Sequence, residues 1–258
     1  MMFLAVDIGN TSVSFGLFKK EEPFEMTFRF PTASILSRDH IEDELLPKLV
    51  ALGNLDSILI ASVVPKASDE LMKILGRTHK EAAIKVLKNE DVPIINRYRN
   101  PSETGTDRLL ASLAAHQLFG KISGKPIIVI SLGTATTFDC ITEAGEYLGG
   151  SIALGVGSGA KHLAEITAQL PEIELVFPDH VLGKSTSESI RSGIMFGAAA
   201  MMEGMIERLH AEVFPEKEVQ VVATGGLSNI FEGKVKGVHS VVPHLVLEGI
   251  ALIAAGNI

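Results

Sequence analysis

Apolar positions along the chain keep two rhythms, a short alternating one and a longer helical one. FLAVDIGN (residues 3–10) and SVSFGLF (residues 12–18) are brief apolar runs that meet at a Gly-Asn-Thr turn, the pattern of a β-hairpin. Charged residues from Lys19 to Glu25 separate this hairpin from MTFRF, a third strand. From Arg38 to Leu52 the apolar residues Ile41, Leu45, Leu49 and Leu52 fall at helical spacing. SILIASVVP is a β-rich run that stops at Pro65, and ASDELMKILGRTH continues as a helix. Strand, helix and strand in this order predict an α/β domain.

The second half repeats the opening. A loop holding Asn96 to Arg108 leads into the helix LLASLAAHQLFG, and Gly120 to Pro126 reads as a junction, dividing the chain into domains 1–119 and 120–258. IIVISLGTATTFDCIT is again strand, glycine turn and strand, so that Asp7-Ile8-Gly9-Asn10-Thr11 and Ser131-Leu132-Gly133-Thr134-Ala135 occupy matching places. Two related halves closing on a nucleotide are the plan of the actin, hexokinase and Hsp70 group, an analogy at the level of fold. GGSIALGVGSGAKHLAEITAQLP reads as a glycine-rich turn entering a helix. STSESIRSGIMFGAAAMMEGMIERLHAEV reads as a long helix with Ser/Thr at its start suited to capping. VQVVATGGLSNI is a buried strand ending in a Gly-Gly turn, and LVLEGIALIAAGNI a closing helix.

With 258 residues, 46% of them hydrophobic, the chain can bury a large core. A net charge of −8 argues against general affinity for nucleic acid or an anionic membrane, since both need a basic face. Cys140 is the single cysteine, which rules out an internal disulfide and a cysteine-based metal site and suits a reducing compartment. MMFLAV is interrupted by Asp7 and lacks a basic flank, so it reads as a first strand rather than a signal peptide. No apolar run approaches the roughly 20 residues of a membrane helix. A cytoplasmic protein is expected. The eight histidines form no HxH or HExxH pair, so no zinc site is assigned, and His162 reads as a surface helix position.

DIGNTSVSFG carries candidate chemistry. A glycine at the turn lets a polyphosphate approach the backbone, Asn10, Thr11 and nearby amides offer hydrogen bonds, and Asp7 can hold a hydrated Mg²⁺. No GxxxxGK[ST] is present, so this is not a P-loop. An ordinary polar hairpin tip is the competing reading.

YRNPSETGTDR (residues 98–108), standing between DIGNT and GTATTFD, resembles the GxDR substrate motif of type III pantothenate kinases. GGSIALG, GKSTSESIRSG and TGGLS follow in that family's order, over nearly the whole chain. The resemblance implies two ribonuclease H-like or actin-like α/β domains, with mixed sheets flanked by helices and a nucleotide cleft between them. It implies a homodimer that moves the γ-phosphoryl group of ATP, with Mg²⁺, onto the primary hydroxyl of pantothenate. By the same resemblance Asp107 is the general base. Asp7, Gly9, Asn10, Thr11, Ser12, Ser14 and Thr134 meet the nucleotide. Tyr98, Gly105, Thr106, Asp107 and Arg108 form the pantothenate pocket, with Thr186 bordering it across the dimer. The residue types suit these roles, because phosphoryl transfer needs positioning, charge neutralisation and a proton acceptor.

One position departs from the family. An acidic residue usually stands two places before the second turn glycine and helps to hold a monovalent cation, K⁺ or NH₄⁺. Ser131 stands there instead and supplies only a neutral oxygen. Weakened or absent potassium activation is expected. Thr136 and Thr137 read as strand residues, and Asp139 as either a nucleotide or metal contact or a turn residue. Gly225 and Gly226 read as either an adenine contact or a tight turn. Gly193, Gly197 and Gly204 suit a dimer contact or packing within one subunit, and Met201, Met202 and Met205 read as core filler. Two further functional readings share the fold: a kinase of another small alcohol, and a non-catalytic ATP-binding regulator like the accessory factors in transcriptional regulation that resemble this family.

Overall fold

The computed structural model describes residues 1–20, 24–37 and 40–256. The chain forms two compact units, one of Met1–Ile94, Arg99–Ala114 and Val246–Ile258, the other of Ile95–Tyr98 and Ala115–Leu245.

The first unit is built on five strands: β1 (Met2–Ile8), β2 (Ser12–Lys19), β3 (Phe24–Pro31), β4 (Ser57–Ser62) and β5 (Ala83–Val86). Their order is β3-β2-β1-β4-β5, with β1, β2 and β3 antiparallel and β4 and β5 parallel to β1. The hairpin expected at Gly9 is present, with Ile8 opposite Val13 and the Gly9 N–H donating to the Ser12 carbonyl at 3.0 Å. Alternation then sorts the side chains. Leu4, Val6, Ile8, Val13, Phe15, Ile58 and Ile60 share one buried face. That face packs on α1 (Leu46–Ala51) and α2 (Pro65–Thr78) through Leu49, Leu71, Ile74 and Leu75. The helical rhythm before α1 is realised as a π-type turn over Ile41–Leu45; Arg38, where the sequence places the start, lies outside the described residues. Asp7 lies on the other face, since its neighbours Val6 and Ile8 point into this core. The helix expected after the Asn96–Arg108 loop is α3 (Thr106–Ala115), which continues as a π-type turn to Gly120.

The second unit holds β6 (Ile95–Asn96), β7 (Ile127–Leu132), β8 (Ala135–Ile141), β9 (Glu146–Leu154), β10 (Gln220–Thr224) and β11 (Ser240–Val241), in the order β11-β10-β7-β8-β9-β6. Without β6 this is the first sheet again: an antiparallel trio, then two strands parallel to the first. Ile128, Ile130, Leu132, Phe138 and Cys140 form one face of the core. Against them lie α4 (Val156–Ile166) and α5 (Thr186–Val213), the latter through Met195, Ala199, Met202 and Ile206. Met202 is core filler as the sequence suggests, with Met201 and Met205 packed beside it. Ser185 caps α5, accepting from the Glu188 N–H at 3.3 Å.

Two expectations change here. GGSIAL is not a turn: it is the second part of β9 and pairs with β8 as far as Leu154 opposite Ala135. A glycine inside a strand marks a bulge or a close approach rather than an ending, and the register shifts beside Gly149, whose φ is +122°. Asp139 belongs to no turn either. It lies within β8, fully buried.

The chain returns to the first unit in α6 (Leu245–Ala255). A Cβ at Gly249 would strike the backbone of Leu110 in α3, so these two helices meet at main-chain distance.

Candidate active site

In the first unit the strand register lines up three side chains. Asp7 in β1 stands opposite Ser14 in β2, and Ser14 opposite Arg29 in β3. Because partners across a ladder point to the same face, the carboxylate, the buried hydroxyl and the exposed guanidinium form a row across the sheet, away from the α1/α2 core. Burial pushes Asp7 up to about 7; the Asp107 charge adds to this, and Arg29 opposes it. The turn above the row is braced by Thr32, whose Oγ1 donates to the Gly9 carbonyl at 2.7 Å and whose N–H donates to the Thr11 carbonyl at 3.0 Å. Asn10 and Thr11 are exposed at its tip.

Asp107 enters from the first turn of α3. Burial raises its pKa, against the opposing pull of the backbone N–H and the charge of Arg108 and of its own N–H. A Cβ on Gly105 would run into the Asp107 carboxylate, so a larger residue there would push that side chain from its place. The loop before it is held by Asn89. The Asn89 Nδ2 donates to the carbonyls of Thr104 at 2.7 Å and Pro101 at 3.2 Å, and its Oδ1 accepts from the Thr106 Oγ1 at 2.7 Å. Asn89 and Arg29 were not legible as site residues. The first acts over separations of 15 and 17 residues, and the second becomes visible only when hairpin register is counted from Gly9.

Asp7, Gly9, Asn10, Thr11, Ser12, Ser14, Gly105, Thr106, Asp107 and Arg108 thus all belong to the first unit, whereas Tyr98, Ser131, Thr134 and Thr186 belong to the second. Ser131 holds in β7 the place that Asp7 holds in β1. Its ladder partners are Thr137 and Thr224, so hydroxyls flank it, and Ile152 stands beyond Thr137 where Arg29 stands beyond Ser14 in the first sheet. Thr134 is exposed in the second turn, which rests on the start of α4: the Ser158 Oγ donates to the Thr134 carbonyl at 2.8 Å. The absent side chain of Gly155 leaves room for the Gly133 and Thr134 carbonyls. Thr186 is the exposed first residue of α5. Gly225, with φ +93° and no space for a Cβ beside Leu132, is accounted for by its turn. His162 is exposed on α4, as read.

A divalent cation suits the first unit's chemistry. Two crowded carboxylates, one of them held near neutral pKa, are a hard-oxygen donor set whose mutual repulsion such an ion would relieve. The neutral oxygens around Ser131 fit a monovalent cation less well. Among the described residues no group of three or more His, Cys, Asp or Glu side chains converges.

The profile of the type III pantothenate kinases matches residues 3–208. The chain belongs to that family. It is 38% identical to a type III pantothenate kinase of Roseiflexus sp. strain RS-1 over 99% of both chains. It is 36% identical to type III pantothenate kinase 1 of Symbiobacterium thermophilum, over 98% of this chain and 96% of that one. Among solved structures it resembles a putative Baf family transcriptional activator from Campylobacter jejuni, with TM-score 0.60, 17% identity and 98% of each chain covered. It also resembles a putative 2-dehydro-3-deoxygalactonokinase from Sinorhizobium meliloti, with TM-score 0.57, 16% identity, and 99% of this chain and 96% of that one covered. At such identities these likenesses speak for the fold alone, the two-sheet α/β plan shared with sugar kinases.

Proposed function

We propose that the protein transfers the γ-phosphoryl group of ATP to the primary hydroxyl of pantothenate, giving 4'-phosphopantothenate, the first step of coenzyme A biosynthesis. The observation that carries this reading is Asp107. It is a carboxylate with a raised pKa at the start of α3, beside Asp7, in a loop fixed by Asn89 and left open by Gly105. Raising its pKa moves it toward the pH at which a general base works best, and such a base contributes on the order of 10²–10⁴-fold. Asp107 accepts the hydroxyl proton, while Arg108, Thr106, Gly105 and Tyr98 bind pantothenate. The turn from Asp7 to Ser14 and the turn at Thr134 receive the phosphates, and Arg29 adds a cation at the end of the Asp7 row. Asp7 would hold Mg²⁺, and the ion when bound would supply charge neutralisation on the phosphates.

The protein acts as a cytoplasmic homodimer in which Thr186 borders the partner's pantothenate. Apart from their chain neighbours and the adjoining backbone of α5, no heavy atom of the described residues lies within 4 Å of a Cβ built on Gly193 or Gly197, and both are exposed on α5. That openness favours the intersubunit reading of these glycines. No described helix is long and apolar enough to cross a membrane. With Ser131 among hydroxyls, potassium activation is weak.

The test is pantothenate-dependent ADP formation from Mg²⁺-ATP in potassium, ammonium and sodium buffers, beside Asp107→Asn. Turnover that requires pantothenate, collapses in the variant and varies little among the salts is expected. ATP binding without turnover in any salt would overturn the reading in favour of a regulator or another acceptor.

A further inference from the structure

The second sheet has one strand more than the first, and Tyr98 follows two residues after the end of that strand. β6 is only two residues long, Ile95 and Asn96, paired in parallel with Glu146 and Tyr147 at the edge of β9. It is held firmly for its length. The Arg97 N–H donates to the Tyr147 carbonyl at 2.8 Å, the Arg97 guanidinium meets Glu146 at 2.6 Å, and the Tyr98 N–H donates to the Asn96 Oδ1 at 3.0 Å. The Tyr98 ring then lies tilted against the Tyr147 ring, with centroids 6.4 Å apart.

Tyr147 is fully buried and anchored from beneath. Its hydroxyl donates to the Asp139 Oδ1 at 2.8 Å, and the Thr137 Oγ1 donates to the Asp139 Oδ2 at 3.0 Å. A fully buried carboxylate is costly unless hydrogen-bonded; Asp139 fixes the ring that supports Tyr98 with Oδ1 and is itself held by Thr137 at Oδ2. Gly149 completes the arrangement. A Cβ there would stand 3.1 Å from the Tyr98 ring, and its φ of +122° belongs to the register shift that bends β9 at this point. Bulges beside functional sites re-aim side chains; here the bulge clears the space that the Tyr98 ring fills.

We infer that Asp139, Tyr147 and Gly149 are positioning residues that seat Tyr98 and thereby set the affinity for pantothenate without touching it. The inference rests on the reading that Tyr98 lines the pantothenate pocket. An anchored aromatic wall loses no rotamer freedom when substrate arrives, so its loosening acts on substrate binding and leaves the nucleotide side unchanged.

The composition supplies a direct readout, because Tyr98 and Tyr147 are the only tyrosines and tryptophan is absent. In protein labelled with ¹³C-tyrosine, two ring signals report on this seat alone. Tyr147→Phe removes one hydroxyl and keeps the ring, Gly149→Ala adds one methyl against Tyr98, and Tyr98→Ala removes the wall. Tyr147→Phe and Gly149→Ala should each raise the pantothenate KM about tenfold or more while the ATP KM stays within about twofold. The pantothenate-induced shift of the Tyr98 signal should reach its midpoint at correspondingly higher concentration, a readout that needs no turnover. A pantothenate KM raised by Tyr98→Ala but left at its wild-type value by both other variants would overturn the inference alone. A pantothenate KM unmoved by Tyr98→Ala would overturn the reading beneath it.

Discussion

Asp107 sits where a helix start ordinarily favours negative charge, yet its pKa is raised. The N–H groups and the Arg108 charge that oppose the shift are outweighed by burial. A carboxylate kept in such a place destabilises the folded chain at neutral pH, and the expected return is catalysis. Asp107→Asn retains the oxygen that accepts those N–H groups and removes the buried charge. Turnover should fall by about 10²–10⁴-fold while the melting temperature at neutral pH rises; a variant that loses activity and also melts lower would mean that the charge is structural. Arg29 is the complementary case, an exposed cation aligned with Asp7 across two strand pairs. Arg29→Ala should raise the ATP KM about tenfold, with the pantothenate KM unchanged, and Arg29→Lys should recover only part, since a point charge lacks the planar fork.

At the scale of elements, the hairpins are the most legible part of the sequence. Period-two alternation around Gly9 and around Gly133 survives translation into structure, because one face of each sheet must be buried. The repeat of topology follows from the same two signals. The second part of β9 was illegible because Gly149 and Gly150 imitate a turn, and pairing with β8 overrides that local signal. Asp139 shows the other limit. Its role depends on Tyr147 across a register shift, and no local spacing encodes that partnership. The candidate site divides likewise: its turns and the GTDR segment could be read, whereas Asn89, Arg29 and Tyr147 are placed by ladder and loop geometry. Gly249 belongs to this hidden class, since its meaning lies in the Leu110 backbone against it. Gly249→Ala would improve the intrinsic helix propensity of α6, but forcing α6 and α3 apart should cost about 1–3 kcal/mol. A lowered urea midpoint measures it, and a raised one would show that propensity outweighs contact.

For the whole molecule these buried groups set opposing responses to pH. Asp7, Asp107 and Glu248 have raised pKa values, so over their windows the folded chain holds more protons than the unfolded one. Stability from these three is fullest below the ordinary carboxylate range and is lost as pH rises through their folded values. His79 runs the other way. Burial lowers its pKa, outweighing the hydrogen bond to the Leu49 backbone, and its Nδ1 lies 2.8 Å from the Thr78 Oγ1. Its contribution is present above 6.5 and is lost as pH falls from there through the lowered folded value. Three acids oppose one imidazole, and Asp7, at about 7, still gives up its proton above 6.5, where His79 has no more stability to gain. Protein freed of metal by a chelator should therefore be more stable near pH 6 than near pH 8, by about 1 kcal/mol. Urea unfolding across that interval measures the difference. Asp7→Asn should flatten the alkaline side, and His79→Gln should flatten the decline on the acid side. A stability that rises steadily from about pH 6 to about pH 8 would contradict the assignment of buried carboxylates as the dominant titrating groups.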